Sequence, residues 1–179
     1  MGKDIGMRKV KYFVANSLDG FISRADGSVD WLFMDQDYGM SDFFASVDVA
    51  AMGRKTYDKI QELAPGQAFS PGISEYVFSR TRPSGMVRKT TFLNEPIGSW
   101  LDRTRQQPGK DIWLVGGGEL VRSFLQEYLL DEVGLTIHPR LLGAGVSVFP
   151  APYPETDLQF ISCKEYETGL VQVFYSVKR

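Results

Sequence analysis

Short apolar runs that each hand over to an amphipathic segment are the feature that most limits how this chain can fold. "VAAM" (49–52) leads into "GRKTYDKIQEL" (53–63). "IWLV" (112–115) leads through three glycines into a segment with Leu120, Val121, Phe124 and Leu125 on one face. Apolar runs this short read as strands buried on both sides, and parallel strands of that kind need helical crossovers. "KVKYFVANS" (9–17) reads as an opening strand, with Val10, Tyr12 and Val14 on one face and Phe13 and Ala15 on the other. "EYVFS" (75–79), "TTFL" (90–93) and "DEVGLTIH" (131–138) add strands; "MSDFFASV" (40–47) and "IGSWLDRTRQQ" (97–107) add helices. "LQFISCKEYE" and "LVQVFYSVK" flank Thr168-Gly169, a hairpin signal. The expected fold is α/β in three layers, with a mostly parallel central sheet closed by a C-terminal antiparallel hairpin. One domain over residues 8–179 accounts for these elements, with 1–7 read as a flexible N-terminal extension.

Composition excludes more than it assigns. A chain of 179 residues, 43% of them hydrophobic, can bury a sizeable core. A net charge of −2 gives no electrostatic reason to expect nucleic acid or an anionic membrane surface as partner. No apolar stretch is long enough to span a bilayer, and the N-terminus lacks a signal-peptide core, so a cytoplasmic location is expected. With one cysteine, Cys163, and one histidine, His138, the chain has no internal disulfide and no multi-cysteine zinc site; no metal is expected. Cys163 reads as a small apolar residue in a late strand, and a lone histidine before Pro139 reads as structural.

Open α/β sheets bind ligands beyond the carboxyl ends of their strands, so the strand-to-helix junctions carry the chemistry. At the first, Gly53 ends a strand and Arg54, Lys55 and Thr56 open a helix. Backbone amides, two cations and a hydroxyl at one helix start make a phosphate site, and cations there oppose the helix dipole unless an anion is bound. At the second, Gly116, Gly117 and Gly118 precede Glu119 and Leu120. Three successive glycines cost conformational entropy and leave backbone bare, as a tight turn or a closely approaching ligand requires. At a third strand end, Ser79 and Arg80 could grip a further phosphate. The glycine spacing is not the Rossmann fingerprint. Asp19 with Gly20 fits a turn as readily as a substrate contact, and Asp30 with Trp31 fits a loop anchor.

"VANSLDGFIS", "MGRKTYD" and "WLVGGGELVRSFL…LDEVGLTIHPRLLGAGVSVF" resemble the dihydrofolate reductase superfamily, nearly end to end. More narrowly they resemble the reductase domain of the bacterial bifunctional riboflavin-biosynthesis deaminase/reductase and its stand-alone relatives. The resemblance implies a dihydrofolate-reductase-like fold and reduction by NADPH. By position, Ala15 would meet the nicotinamide carboxamide through its backbone, and Gly53, Arg54, Lys55 and Thr56 would face the pyrophosphate and adenosine side. Ser79 and Arg80 would face the 2′-phosphate. Gly116, Gly117, Gly118, Glu119 and Leu120 would lie against the pyrophosphate and nicotinamide ribose. The resemblance also implies a functional carboxylate: Asp19 of "NSLDG" is favoured, and Asp37 is the alternative, by analogy with the folate-gripping acid. Asn16, Ser17, Asp30 and Trp31 would stand on the substrate side. The stretch "DWLFMDQDYGMSDFF" lacks the Trp-Leu-Pro pattern of folate-reducing members. A deaminase would need an H-x-E…P-C-x-x-C zinc set, which one His and one Cys cannot supply. The expectation is reduction alone, of a heterocycle such as 5-amino-6-(5-phosphoribosylamino)uracil, in a homodimer paired through the final hairpin. The alternatives are a dihydropterin reductase and a non-catalytic dinucleotide-binding protein.

Overall fold

The computed structural model describes residues 7–66 and 71–178; residues 1–6 of the expected N-terminal extension lie outside the described residues. The elements are β1 (Val10–Ser17), β2 (Phe21–Ser23), α1 (Met40–Ser46), β3 (Val47–Gly53), α2 (Arg54–Leu63), β4 (Ser74–Phe78), β5 (Gly85–Val87) and β6 (Thr90–Leu93). They continue with α3 (Ile97–Arg105), β7 (Asp111–Gly116), α4 (Gly118–Gln126), β8 (Glu132–His138), β9 (Val146–Ser147), β10 (Leu158–Glu165) and β11 (Val171–Val177). One sheet holds nine strands in the order β10-β11-β8-β1-β7-β3-β4-β6-β5. The six from β8 to β6 pair in parallel. The β10–β11 hairpin lies antiparallel against β8, and β5 lies antiparallel against β6.

Helix placement follows from the direction in which the chain travels. From β1 it passes beyond the β7 position to β3 and on to β4 and β6; it then returns to β7, between β1 and β3, and crosses to β8 on the far side of β1. Right-handed crossovers place helices of opposite travel on opposite faces. The residues of β1 sort accordingly. Val10 and Tyr12 join the core beneath α3 and α4, with Trp100, Leu101, Val121 and Phe124. Phe13 joins the core beneath α1 and α2, with Phe43, Tyr57 and Ile60 packed around it. The expected alternation of Val10 and Tyr12 against Phe13 is thus a division between two cores.

The two ends of the parallel strands are built differently. At the amino end, buried Arg8 donates to the carbonyls of Lys110 and Thr104 and pairs with Asp48. Arg105 donates to the Arg8 carbonyl and to Asp131, which also accepts the Val10 N–H. This network closes that end. At the carboxyl end lie the glycine junctions and the loops.

Three short strands escape periodicity: β2, β5 and β9 have two or three residues each. Strands β2 and β9 form a separate ribbon that ties the loop after β1 to the segment after β8. β10 is exposed along its whole length, Cys163 included, so that cysteine is not packed as a small apolar residue. No helix among the described residues is long and apolar enough to cross a membrane.

Gly134 of β8 sits between the stacked rings of Phe13 and Phe174. A Cβ there would lie 2.7 Å from both rings. Gly134→Ala is expected to overpack this site and lower stability by about 1–3 kcal/mol. Denaturant unfolding of the variant against the parent chain measures the loss.

Candidate functional site

A cavity of about 1550 Å³ opens over the carboxyl ends of the parallel strands. Typical small-molecule pockets hold roughly 300–1,000 Å³, so this one has room for a dinucleotide and a second molecule. It runs from Ser79, Arg80 and Asn94 at one side, across Gly53 and Gly117, to Thr136, His138 and Gln172 at the other.

Two helix N-termini meet at its centre. α2 begins after Gly53 and α4 after Gly117, and neither has a side-chain cap. Their first N–H groups are therefore left for a ligand or water. The β3–β7 pairing brings these junctions together, with Met52 opposite Gly116. Only backbone separates them: a Cβ on Gly53 would first meet the Gly116 carbonyl, at 3.9 Å. Gly116 and Gly117 adopt φ of +129° and +65°, where other residues are strained. A Cβ on Gly117 would stand 3.0 Å from Thr56 Oγ1, whereas one on Gly116 would project into open space. The turn needs Gly117, and the bare backbone of Gly53, Gly117 and Gly118 lines the cavity, whereas Gly116 is not among its lining residues.

Cations surround this cradle. Arg54 pairs with Asp58 at 2.8 Å, at partial exposure, and Lys55 has no ion-pair partner among the described residues. Arg80, 89% exposed, reaches across the cavity mouth to Glu119 at 3.3 Å. An exposed pair of this kind contributes little and exchanges readily for a better anion. Ser79 is more committed: its hydroxyl oxygen accepts the N–H groups of Thr81 and Arg82, so it shapes the turn that presents Arg80. Ala15, Gly118 and Leu120 line the same cavity.

On the substrate side, the structure sets most of the expected residues apart from the cavity lining. Asn16, Ser17, Asp19, Asp30 and Trp31 are not among the residues that line the cavity. The Asp19 carboxylate accepts the Ser17 hydroxyl at 2.6 Å and the N–H groups of Leu142 and Gly143, so it is engaged by the loop after β8. These hydrogen bonds, that of Ser17 foremost, hold its pKa below the usual value. Ser17 also accepts the Phe21 N–H, and the Asn16 side chain donates to the Ser17 carbonyl. Asp30 is paired with Arg24, and buried Trp31 packs edge-on against His138 at 5.2 Å. Asp37 does line the cavity; its carboxylate accepts the Ser41 N–H and hydroxyl.

The polar groups on this side come from Thr136 and Gln172, which sequence reasoning left unassigned, and from His138, which it read as structural. Thr136, His138 and Gln172 are buried and point to the cavity from β8 and β11. His138 Nε2 accepts the Phe33 N–H at 3.2 Å, and its Nδ1 lies 3.2 Å from the Thr136 carbonyl, which fixes the Nδ1–H tautomer. Gln172 donates to the Tyr38 carbonyl and to Thr136 Oγ1, while accepting the Tyr166 hydroxyl. The signal available in sequence was a polar residue at an inward strand position, which names no partner.

Residues 8–172 match the RibD C-terminal domain family. The chain belongs to that family. It is 36% identical over 171 residues to the uncharacterized protein YwjB of Bacillus subtilis (strain 168), covering 94% of this chain and 97% of that one. It is 33% identical over 185 residues to the uncharacterized protein YyaP of the same organism, covering 98% of each. Among solved structures, a putative riboflavin biosynthesis protein from Shewanella sp. PV-4 matches with a TM-score of 0.81 at 25% identity, over 96% of this chain and 99% of that one. A diaminohydroxyphosphoribosylaminopyrimidine deaminase/5-amino-6-(5-phosphoribosylamino)uracil reductase from Thermotoga maritima shares the fold, with a TM-score of 0.73 at 15% identity; the match covers 96% of this chain and 57% of that one.

Burial, partly offset by the Thr136 carbonyl, lowers the His138 pKa below 6.5. A base with a depressed pKa takes up its proton more readily in the unfolded chain, so stability falls as pH drops below the unfolded value. The thermal midpoint is expected to decrease from pH 7.5 to pH 5.5, roughly the range in which a free histidine titrates. The decrease should be largely lost in His138→Gln, and thermal melts at both pH values compare the two chains.

Proposed function

We propose that this chain is an NADPH-dependent reductase that passes a hydride to a planar nitrogen heterocycle of the kind reduced in riboflavin biosynthesis, and that it performs reduction alone. The observation that carries the reading is the pair of uncapped helix N-termini, separated by glycine backbone, within a cavity large enough for a dinucleotide and a second molecule. Family membership and the Shewanella likeness support the same class of chemistry. Reduction without deamination is supported by the single His and single Cys of the chain, too few for the zinc set of a deaminase.

The residues fit a dinucleotide. Gly53, Gly117 and Gly118 would hold the pyrophosphate against free N–H groups, with Thr56 beside them. Arg54 and Lys55 would supply charge there, and Arg80 would exchange Glu119 for a 2′-phosphate. Bound NADPH supplies the hydride, leaving NADP⁺. Asp37, which lines the cavity, would orient the substrate ring or relay a proton to it, the role expected first of Asp19. The segment around Phe33 would exclude water from the reacting pair.

Gly53 has φ −80°, which any residue adopts, so Gly53→Val should fold normally while obstructing the cradle. At least tenfold weaker NADPH binding is expected, with little change in thermal midpoint. Arg80→Ala should narrow the preference for NADPH over NADH by about tenfold, the low end for a charge-assisted contact. Titration calorimetry with both dinucleotides tests this, and equal affinity of the parent chain for NADPH and NADH would remove the cofactor assignment.

The reading includes a homodimer. Leu158, Phe160 and Ile161 are exposed on edge strand β10, an arrangement that invites pairing with a second copy. Light scattering at micromolar concentration should give twice the chain mass of 20.1 kDa; a species of the single mass would exclude it.

A further inference from the structure

The two ends of the cavity differ in charge, and the difference bears on what is reduced. Cations gather at the dinucleotide end, at Arg54, Lys55 and Arg80, where they stand with Glu95 and with Glu119, the exposed partner of Arg80. The opposite end, bounded by α1, the second turn of α2 and the ends of β8 and β11, is here termed the ring end. Its walls include Phe33, Met40 and Ile60, and its polar floor is Thr136, His138 and Gln172.

None of the three floor residues offers positive charge. His138 is held neutral: Nε2 serves as acceptor for the Phe33 N–H, and burial lowers its pKa. The Gln172 amide is already committed to the Tyr38 carbonyl and Thr136. Two carboxylates, Asp26 and Asp37, line this end. The one cation of this end among the described lining residues is Lys59, on the second turn of α2 beneath Gly27, where it pairs with exposed Glu62 at 3.3 Å and is outnumbered by the two carboxylates. Arg24 is engaged by Asp30; Arg140 lies outside the lining, and its charge acts on His138 by disfavouring the imidazolium. A phosphate carries close to two negative charges at neutral pH and binds where several donors or cations converge. At the ring end it would meet apolar walls, two carboxylates, a neutral imidazole and a single lysine, where several donors or cations are needed.

We infer that the ring end takes a planar heterocycle without a phosphate, an uncharged or cationic molecule; the inference rests on the reductase reading. The floor then serves as a neutral hydrogen-bonding edge for ring nitrogens and carbonyls, and Asp37 favours an N–H-rich or protonated ring. The hydride acceptor would differ by that phosphate from the compound named for the Thermotoga reductase.

Riboflavin and flavin mononucleotide differ by one phosphate and share a planar fluorescent ring, so they serve as the probes. Flavin fluorescence is titrated with the full chain, with NADP⁺ at saturation to fill the dinucleotide end. Riboflavin is expected to bind at least about tenfold more tightly than flavin mononucleotide. Asp37→Lys, a change at an exposed side chain, should close most of that gap by improving the phosphorylated probe. Equal or tighter binding of flavin mononucleotide to the parent chain overturns the inference, and so does absence of riboflavin binding. Failure of NADP⁺ to bind overturns the reductase reading separately. The riboflavin comparison is then made without it, and flavin mononucleotide held at the cradle is recognised by its loss in Gly53→Val.

Discussion

Everything in this molecule that concerns a ligand depends on β7 lying between β1 and β3. The chain reaches that position only after travelling outward to β6 and back. Right-handed connections then require the outward helices and the returning helices to cover opposite faces. Two cores result, and the carboxyl ends of β1, β3 and β7 are left facing a gap that no crossover fills. Parallel pairing of β7 with β3 brings the starts of α2 and α4, which run back along opposite faces of the sheet, to one place with their positive ends toward that gap. The Arg8 network at the other end keeps those strands in register.

The cavity therefore has two kinds of wall. Toward β3 and β7 the contacts are backbone N–H groups, which suit an anion of fixed shape and are indifferent to side-chain chemistry. Toward β8 and β11 they are side chains already engaged with one another. Thr136, His138 and Gln172 hold the segment from Phe33 to Tyr38, so the floor and the cover are one hydrogen-bonded unit. Tyr38 sits at φ +49°, a conformation that costs a non-glycine residue roughly 1–2 kcal/mol. Hydrogen bonds at its carbonyl and at its hydroxyl, which meets Asp35 and Thr168, offset that cost.

Sequence disclosed the parts that follow local rules. The strands and helices could be placed because β1, β3 and β7 are apolar runs and α2 and α4 are amphipathic, and Gly53 and Gly117 marked their own junctions. The dinucleotide end was legible for the same reason, being built where single elements start and stop. The ring end was not. It is assembled from β8, β11 and a loop more than a hundred residues away from them, and nothing in "TIH" or "LVQV" names Phe33 or Tyr38 as a partner. Asp19 misled in the opposite way. "SLDG" is a recognisable string, but the carboxylate's partners, Leu142 and Gly143, lie far along the chain and decide its role.

That role of Asp19 has a mechanical consequence. The loop after β1 is fastened to the segment after β8 twice, by the Asp19 carboxylate on Leu142 and Gly143 and by the β2–β9 ribbon. At the ribbon, Gly145 lies so close to the Ser23 carbonyl that no larger residue fits. Two fastenings some residues apart prevent rotation as well as separation, so these stretches are a fixed wall. On the proposed function, the freedom to admit and release a substrate would fall to the stretch from Phe33 to Tyr38. Its backbone is tied to the sheet by two side-chain hydrogen bonds, from Phe33 to His138 and from Gln172 to Tyr38. For a reductase of the proposed kind, traffic through the ring end would thus depend on how often those two bonds break together.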